Sequence, residues 1–234
     1  PAQSRSSDGE PKVIYFRAGS AASRTTPDIV DGINFDGVRI LHVTGIFSAL
    51  APNTYDTVTA LVKAAHEHGV TVLFDPNPRP TLWPGKEAMI AATNRLAVEC
   101  DVFMPGLEEG RLFSGANDPY DIARFYLDMG VHKVIIKLGD TGSALFEQAD
   151  DGSITRTVAP SFTVDVVDTV GAGDGFASGV ITALLEGLDG EHLLERANAV
   201  GAIQVTSVSD SEGLPTADEL REFITSTPRK ELSL

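Results

Sequence analysis

A glycine-rich run in the last third of the chain, DTVGAGDGF, places aspartates and closely spaced glycines directly before an apolar pattern. Phe176, Val180, Ile181 and Leu184 recur at helical spacing, so the glycines are predicted to lie at the N-terminus of a helix. Backbone amides are unpaired there and the helix dipole favours negative charge, which makes an anion site. The glycines would let phosphate oxygens approach the backbone closely.

Asp174 stands inside this predicted anion site, where a carboxylate would repel a phosphate. Its position is explained if it removes a proton from a hydroxyl while the neighbouring amides stabilise a transferring phosphoryl group. The alternative is a first-turn aspartate that caps a structural helix, with glycines that form a tight turn. The glycine spacing fits a dinucleotide fingerprint poorly, and no P-loop lysine follows.

Composition limits the classes of function. A formal charge of −15 argues against nonspecific binding to nucleic acid or to a membrane surface, since both require a dense cationic face. The single cysteine, Cys100, excludes an intrachain disulfide and makes a cysteine-based zinc site implausible. No apolar run approaches the length of a membrane span, and the first residues lack a signal-peptide core. We expect a cytoplasmic protein.

Strand and helix patterns alternate along the chain, which predicts an α/β fold with a mostly parallel sheet covered on both faces. Residues 1–11 resemble a flexible lead-in, and further β-type stretches are expected between 153 and 167. The predicted strands are 12–16, 38–45, 70–75, 101–104, 133–139 and 143–148. The predicted helices are 52–69, 86–98, 121–129, 173–186, 192–205 and 217–224. Ligands of such sheets bind beyond the carboxyl ends of the strands.

Several motifs resemble those of the ribokinase-like (phosphofructokinase-B) carbohydrate kinases. DTVGAGDGFASG is similar to the C-terminal signature of that family, FDPNPRPTLW to its D-x-N-x-R strand end, and KLGDTGSALF to its G-x-x-G segment. RANAVGAIQVTSVSDSEGLPT resembles its final helix and closing loop. YFRAGSAAS and PGLEEGRLFSG narrow the resemblance to the 2-keto-3-deoxygluconate kinases. The resemblance covers nearly the whole chain from about Lys12 onward.

The resemblance implies a catalytic role for the glycine-rich run. Asp174 would be the base that activates the primary hydroxyl of the sugar, and Gly171, Ala172 and Gly173 would form the anion hole. Asp168 lies where the family places a shell around a monovalent cation such as K⁺, although it could instead support the loop.

Four residues are implied in binding the sugar. A keto-deoxy sugar acid carries a carboxylate, for which the guanidinium of Arg17 is a natural partner, and Tyr15 would line the same pocket. The alternative for Arg17 is a surface arginine on an exposed strand. Asn77 would hydrogen-bond a hydroxyl and Arg79 would hold the acid or the migrating phosphate, unless this proline-rich segment is only a structural turn.

The resemblance also implies a nucleotide and a metal ion, ATP with Mg²⁺. Lys137, Gly139, Gly142 and Asn198 would flank the nucleotide, although Asn198 could have a role in the core. Glu109 aligns with a family glutamate that orders the magnesium and phosphate shell through water. The asparagine that normally precedes it is replaced here by Gly106, and a solvated glutamate is the alternative.

The expected architecture is a ribokinase-like three-layer sandwich whose small β lid is largely absent. Residues 1–35 are predicted as lead-in and lid remnant, and residues 36–234 as the α/β domain. The first strand of the family pattern is also absent, so we expect weak or no activity from these 234 residues alone.

The implied activity is ATP-dependent phosphorylation of 2-keto-3-deoxygluconate at its 6-position. The enzyme alternative is a fructokinase or another sugar kinase of the same family. The alternative from another class is an inactive sugar- or nucleotide-binding fragment. The expected partners are a small-molecule sugar acid and ATP, without nucleic acid or membrane, and the family also suggests a homo-oligomer.

Overall fold

A computed structural model of the chain describes residues 3–5, 11–13, 19–208 and 213–231. The strands are β1 Gln3–Arg5, β2 Pro11–Val13, β3 Ile40–Thr44, β4 Thr71–Asp75, β5 Val102–Phe103, β6 Lys133–Lys137, β7 Gly142–Gln148 and β8 Ile154–Pro160. The α-helices are α1 Gly45–Ser48, α2 Pro52–Glu67, α3 Lys86–Ala97, α4 Leu107–Ser114, α5 Pro119–Leu127, α6 Ala172–Leu185, α7 Gly190–Gln204 and α8 Ala217–Ser226.

The main sheet has six strands in the order β3-β4-β5-β6-β7-β8. Strands β3 to β6 run parallel, whereas β7 and β8 continue the sheet in antiparallel pairs, and β1 and β2 form a separate antiparallel ribbon. Strands β4, β5 and β6 are nearly continuous runs of buried residues, as expected where helices cover both faces, whereas β3 at the sheet edge is mostly half-buried. The predicted mostly parallel α/β fold is confirmed.

Alternate residues of the strands pack into two different cores. Phe74, Phe103 and Ile136 face a core that contains residues of α2 to α5. Leu73 and Ile135 face a second core formed with α6 and α7. A third, smaller cluster lies between α7 and α8. The sheet is therefore the middle layer of three, and its second face is the one covered by the helix that follows the glycine-rich run.

The predicted strands 38–45, 70–75, 101–104, 133–139 and 143–148 and all six predicted helices agree with the observed bounds to within two residues. Of the stretch 153–167, only Ile154–Pro160 forms a strand, and α1 and α4 have no counterpart in the sequence prediction. The strand predicted at 12–16 lies partly outside the described residues. The domain boundary at residue 35 stays a prediction. In the part of the chain that the structure describes, no helix combines the length and apolarity required to cross a bilayer.

Candidate active site

The glycine-rich run forms the start of α6. Gly171 is the N-cap residue and has a left-handed backbone with φ of 81°, which favours glycine, and its carbonyl accepts a hydrogen bond from the Gly175 amide at 2.8 Å. Ala172, Gly173 and Asp174 form the first turn, where amides have no partner inside the helix. The predicted anion hole and the predicted base are therefore neighbours on one helical turn.

The glycines of this segment have different structural roles. A Cβ atom at Gly179 would lie 2.6 Å from Cα of Ala197, so Gly179 is required for the close packing of α6 against α7. A Cβ atom at Gly173 would meet nothing within 4 Å. Because glycine costs about 1 kcal/mol relative to alanine in a helix, packing does not explain Gly173. Close approach of a ligand to the backbone would explain it.

The last residues of strands β4 and β6 are charged, and their side chains lie on the sheet face that α6 covers. Asp75 follows Leu73 by two positions in β4, and Lys137 follows Ile135 by two positions in β6, so both share the face of the second core. Nζ of Lys137 lies 2.9 Å from Oδ1 of Asp75. Only 3% of the Asp75 side chain and 18% of the Lys137 side chain are exposed, so this is a buried ion pair.

His42 belongs to the same cluster and was not predicted from the sequence. Burial lowers the pKa of its imidazole, the charges of Asp75 and Asp174 raise it, and the charge of Lys137 lowers it. Its Nε2 atom is buried and has no hydrogen-bond partner among the described residues. The sequence feature that could have indicated it is a histidine within the apolar strand sequence ILHVT, two residues before the end of β3.

Glu109 lies in the first turn of α4, and its Oε2 accepts a hydrogen bond of 2.7 Å from the Gly106 amide. Burial raises the pKa of this carboxyl, and the charge of Lys137 together with the Gly106 hydrogen bond opposes that rise. The side chain is partly buried within range of the charges of Lys137 and Asp75, and its role towards magnesium stays a prediction.

The loop after β4 carries two of the predicted sugar-binding residues. Asn77 has φ of 33°, in the left-handed region that asparagine tolerates better than most residues. Nη1 of Arg79 donates to Oδ1 of Asn77, and it also donates to the carbonyl of Pro78 at 3.0 Å. The structure thus brings Asn77 and Arg79 together at the carboxyl end of β4. Tyr15 and Arg17 lie outside the described residues.

The predicted nucleotide residues share one cavity with two residues of the predicted anion hole. This cavity has a volume of about 350 Å³, within the range typical of small-molecule sites. Its lining includes Lys137, Gly139, Gly142 and Asn198 together with Ala172 and Gly173.

Asn198, which lines this cavity, also has a structural role. Its Nδ2 donates to the carbonyls of Ala159 at 3.0 Å and Pro160 at 3.2 Å, which joins α7 to the end of β8. Gly142 has φ of 130°, and a Cβ atom there would lie 2.1 Å from the Ala159 carbonyl oxygen. The turn between β6 and β7 can therefore approach β8 only with glycine at this position.

Asp168 stabilises the loop before α6. Its Oδ1 accepts a hydrogen bond of 3.0 Å from the Val170 amide, and its own amide donates to the Val205 carbonyl at 3.2 Å. A role in binding a monovalent cation stays a prediction. No group of three or more histidine, cysteine or acidic side chains among the described residues could hold a metal ion by itself. Mg²⁺ usually keeps several waters and takes one or two carboxylates together with substrate phosphates, and the predicted role of Glu109 is to order such a water shell.

Comparison with known proteins identifies relatives over most of the chain. The pattern of the pfkB family carbohydrate kinases matches residues 3–217. A 2-dehydro-3-deoxygluconokinase of Bacillus subtilis is 41% identical over 95% of this chain and 67% of its own length. The 2-dehydro-3-deoxygluconokinase of Thermoproteus tenax is 33% identical over 92% of this chain and 64% of its own length. The chain thus spans about two thirds of these curated relatives.

Solved structures give the same assignment. The crystal structure of PfkB protein from Polaromonas sp. JS666 matches 94% of this chain and 68% of its own, with 38% identity and a TM-score of 0.76. Aminoimidazole riboside kinase from Salmonella enterica, complexed with aminoimidazole riboside and an ATP analog, matches 92% of this chain and 70% of its own, with 25% identity and a TM-score of 0.75. The ribokinase-like sheet, the helix that starts in the glycine-rich run and these matches lead to one conclusion: the chain belongs to the pfkB family of carbohydrate kinases.

Proposed function

We propose that the protein is an ATP-dependent sugar kinase that phosphorylates 2-keto-3-deoxygluconate to its 6-phosphate. The observation that carries this proposal is the first turn of α6, where Asp174 stands beside the open backbone of Gly173. Gly173 lines the same cavity as Gly139 and Gly142, the predicted nucleotide residues. The proposed base and the proposed anion site are thus adjacent to a cavity of about 350 Å³, a volume typical of small-molecule sites.

In the proposed reaction the 6-hydroxyl oxygen of the sugar attacks the γ-phosphorus of ATP. The bond between that phosphorus and the ADP oxygen breaks, and the hydroxyl proton passes to the carboxylate of Asp174. The amides of the predicted anion hole, Gly171, Ala172 and Gly173, stabilise the negative charge on the transferring group, for which the Ala172 amide would leave the Thr169 carbonyl that it contacts at 3.3 Å. Bound Mg²⁺ would neutralise phosphate charge, and Glu109 would orient its water shell.

Lys137 serves this reaction from the sheet. Its ammonium is held by Asp75, which balances its charge, and it also lines the cavity, so it offers a fixed hydrogen-bond donor near the phosphates without the freedom of a surface lysine.

The sugar acid is favoured over a neutral sugar by the two 2-dehydro-3-deoxygluconokinases among the relatives and by the YFRAGSAAS motif. Arg17 and Arg79 are the proposed partners of its carboxylate, and Tyr15 and Asn77 complete the proposed sugar-binding set. The family alternative remains a fructokinase or another sugar kinase. We also retain the prediction of a homo-oligomer.

The test is a coupled assay of ADP release from ATP with 2-keto-3-deoxygluconate, fructose and ribose. The full-length gene product and the 234-residue chain are compared side by side. We expect turnover of the acid sugar by the full-length product. Preference for fructose would overturn the acid-sugar assignment, and absence of turnover with any sugar would overturn the kinase proposal. Turnover by the full-length product alone would identify the 234-residue chain as an inactive fragment.

A further inference from the structure

The segment 228–230 near the C-terminus runs as an extra strand-like piece along one wall of the nucleotide cavity. The Thr163 amide donates to the Pro228 carbonyl at 2.8 Å, and the Lys230 amide donates to the Ser161 carbonyl at 2.8 Å. These two hydrogen bonds fix the backbone on both sides of residue 229. Lys230 is therefore held in place and is not a loose tail residue.

Side chains strengthen this attachment. The guanidinium of Arg229 lies 5.2 Å above the ring of Phe162 and forms an ion pair with Glu195 of α7. Phe162 is buried and packs against Phe223 of α8, with ring centroids 5.0 Å apart. The segment is thus attached to the cluster between α7 and α8 as well as to the loop after β8.

Two cations line the cavity among the residues that the structure describes, Lys137 and Lys230. Lys137 is committed to Asp75, whose carboxylate is buried. Lys230 instead pairs with Asp140, at 3.0 Å from Nζ to Oδ2, and 83% of the Asp140 side chain is exposed. An exposed pair of this kind contributes at most about 1 kcal/mol, so its lysine can change partners at little cost.

A nucleotide in this cavity brings several negative charges to a protein with a formal charge of −15. Asp140 lies in the short 3-10 helix Gly139–Thr141, whose first residue is one of the proposed nucleotide contacts. A phosphate oxygen that reaches this end of the cavity would offer Lys230 a stronger, charge-assisted hydrogen bond.

We infer that Lys230 is a nucleotide-binding residue, whose ammonium leaves Asp140 and contacts the phosphate groups of a bound nucleoside di- or triphosphate. The segment 228–230 is then a wall of the nucleotide site. This inference rests on the proposed function, because it requires the cavity to be the nucleotide site.

Isothermal titration calorimetry of the full-length product with magnesium-ADP and with adenosine tests the inference. We expect Lys230→Gln to weaken ADP binding by about tenfold or more and to leave adenosine binding unchanged, since one charged hydrogen bond to phosphate is lost. Lys63→Gln, which removes a lysine of an exposed ion pair with Glu67 on α2, is the matched control and should bind both ligands like the wild type.

Three outcomes would overturn the inference while the proposed function stands. The first is unchanged ADP binding by Lys230→Gln, and the second is a loss of affinity in this variant that is equal for ADP and adenosine. The third is a loss of ADP affinity in Asp140→Asn as large as that in Lys230→Gln. The last would mean that the Lys230–Asp140 pair acts by holding the turn. Failure of the wild type to bind either ligand would instead overturn the proposed function. The melting temperature of ligand-free Lys230→Gln should stay within about 3 °C of the wild type, so that misfolding is recognised.

Discussion

Lys137 and Asp75 form an ion pair of 2.9 Å that spans the sheet from β6 to β4, across the intervening strand β5. Strand β5 ends at Phe103, and the two charged side chains meet beyond its end on the face covered by α6 and α7. The pair therefore links the strand before the Asn77–Arg79 loop to the strand before the Gly139–Gly142 turn. In the proposed function, these are the sugar side and the nucleotide side.

Replacing Asp75 by asparagine should destabilise the protein markedly. The substitution leaves the mostly buried ammonium of Lys137 without a counter-charge at 2.9 Å, for which we expect a loss of about 3 kcal/mol in the free energy of unfolding. The expected fall in melting temperature is roughly 10 °C. Glu67→Gln, which breaks the exposed pair with Lys63, is the control and should change little. Similar melting temperatures for both variants would contradict a structural role for the buried pair.

Asp174→Asn in the full-length product should lower kcat by about 100-fold to 10,000-fold, because the amide cannot accept the hydroxyl proton. The side chain is exposed in the first turn of α6, so folding should not suffer. Steady-state kinetics with the acid sugar give the rate, and calorimetry with magnesium-ADP should show that nucleotide binding is retained. A variant that turns over like the wild type would show that Asp174 is not the base.

Gly173→Ala and Gly179→Ala should have opposite effects, although they lie six residues apart on one helix. At Gly173 the added methyl group meets nothing within 4 Å, so stability should be unchanged or rise by up to about 1 kcal/mol. The methyl group would nevertheless obstruct the anion hole, and kcat/KM should fall by about 100-fold.

Gly179→Ala places a methyl group 2.6 Å from the backbone of α7 and should cost about 1–3 kcal/mol in stability. Thermal melts and kinetics of the two variants separate the roles of these glycines. Loss of stability without loss of activity in Gly173→Ala would contradict the ligand-approach explanation.

Stability should depend on pH through His42. Burial lowers the pKa of His42 in the folded state below the ordinary value near 6.5, so the unfolded chain binds the proton first as the pH falls. The wild type should therefore lose stability relative to His42→Gln when the pH is lowered from 7.5 to 5.5. Urea unfolding at the two pH values measures this difference, and His192→Gln, at an exposed histidine, is the matched control. Parallel curves for the wild type and His42→Gln would contradict the burial effect.

Local sequence was sufficient to predict the start of α6. The apolar spacing from Phe176 to Leu184 locates the helix, and the glycines before it locate the N-terminus, all within about twenty residues. The alternation of strands and helices could also be predicted locally, because each apolar pattern lies in consecutive residues. The helix α4 has only eight residues, too few for an apolar pattern to repeat, and it has no counterpart in the prediction.

The cluster of His42, Asp75 and Lys137 could not be predicted in the same way. These residues are separated by more than thirty positions, and they meet only because β3, β4 and β6 lie near one another in the sheet. Strand order is a property of the whole fold, and no single segment of the sequence specifies it. Lys137 was predicted only as a nucleotide residue, and its ion pair with Asp75 and the burial of His42 required the folded chain.

Gly45, the first residue of α1, lies so close to the loop after β4 that a Cβ atom there would be 1.8 Å from the carbonyl oxygen of Pro76. The backbones of the turns that follow β3 and β4 are therefore in direct contact at these two residues. For protein engineering, the loop with Asn77 and Arg79 cannot be diversified together with position 45. A library that aims at new sugars should keep glycine at position 45 and vary the side chains beyond Pro76. Any larger residue at position 45 would displace the whole loop rather than change its surface.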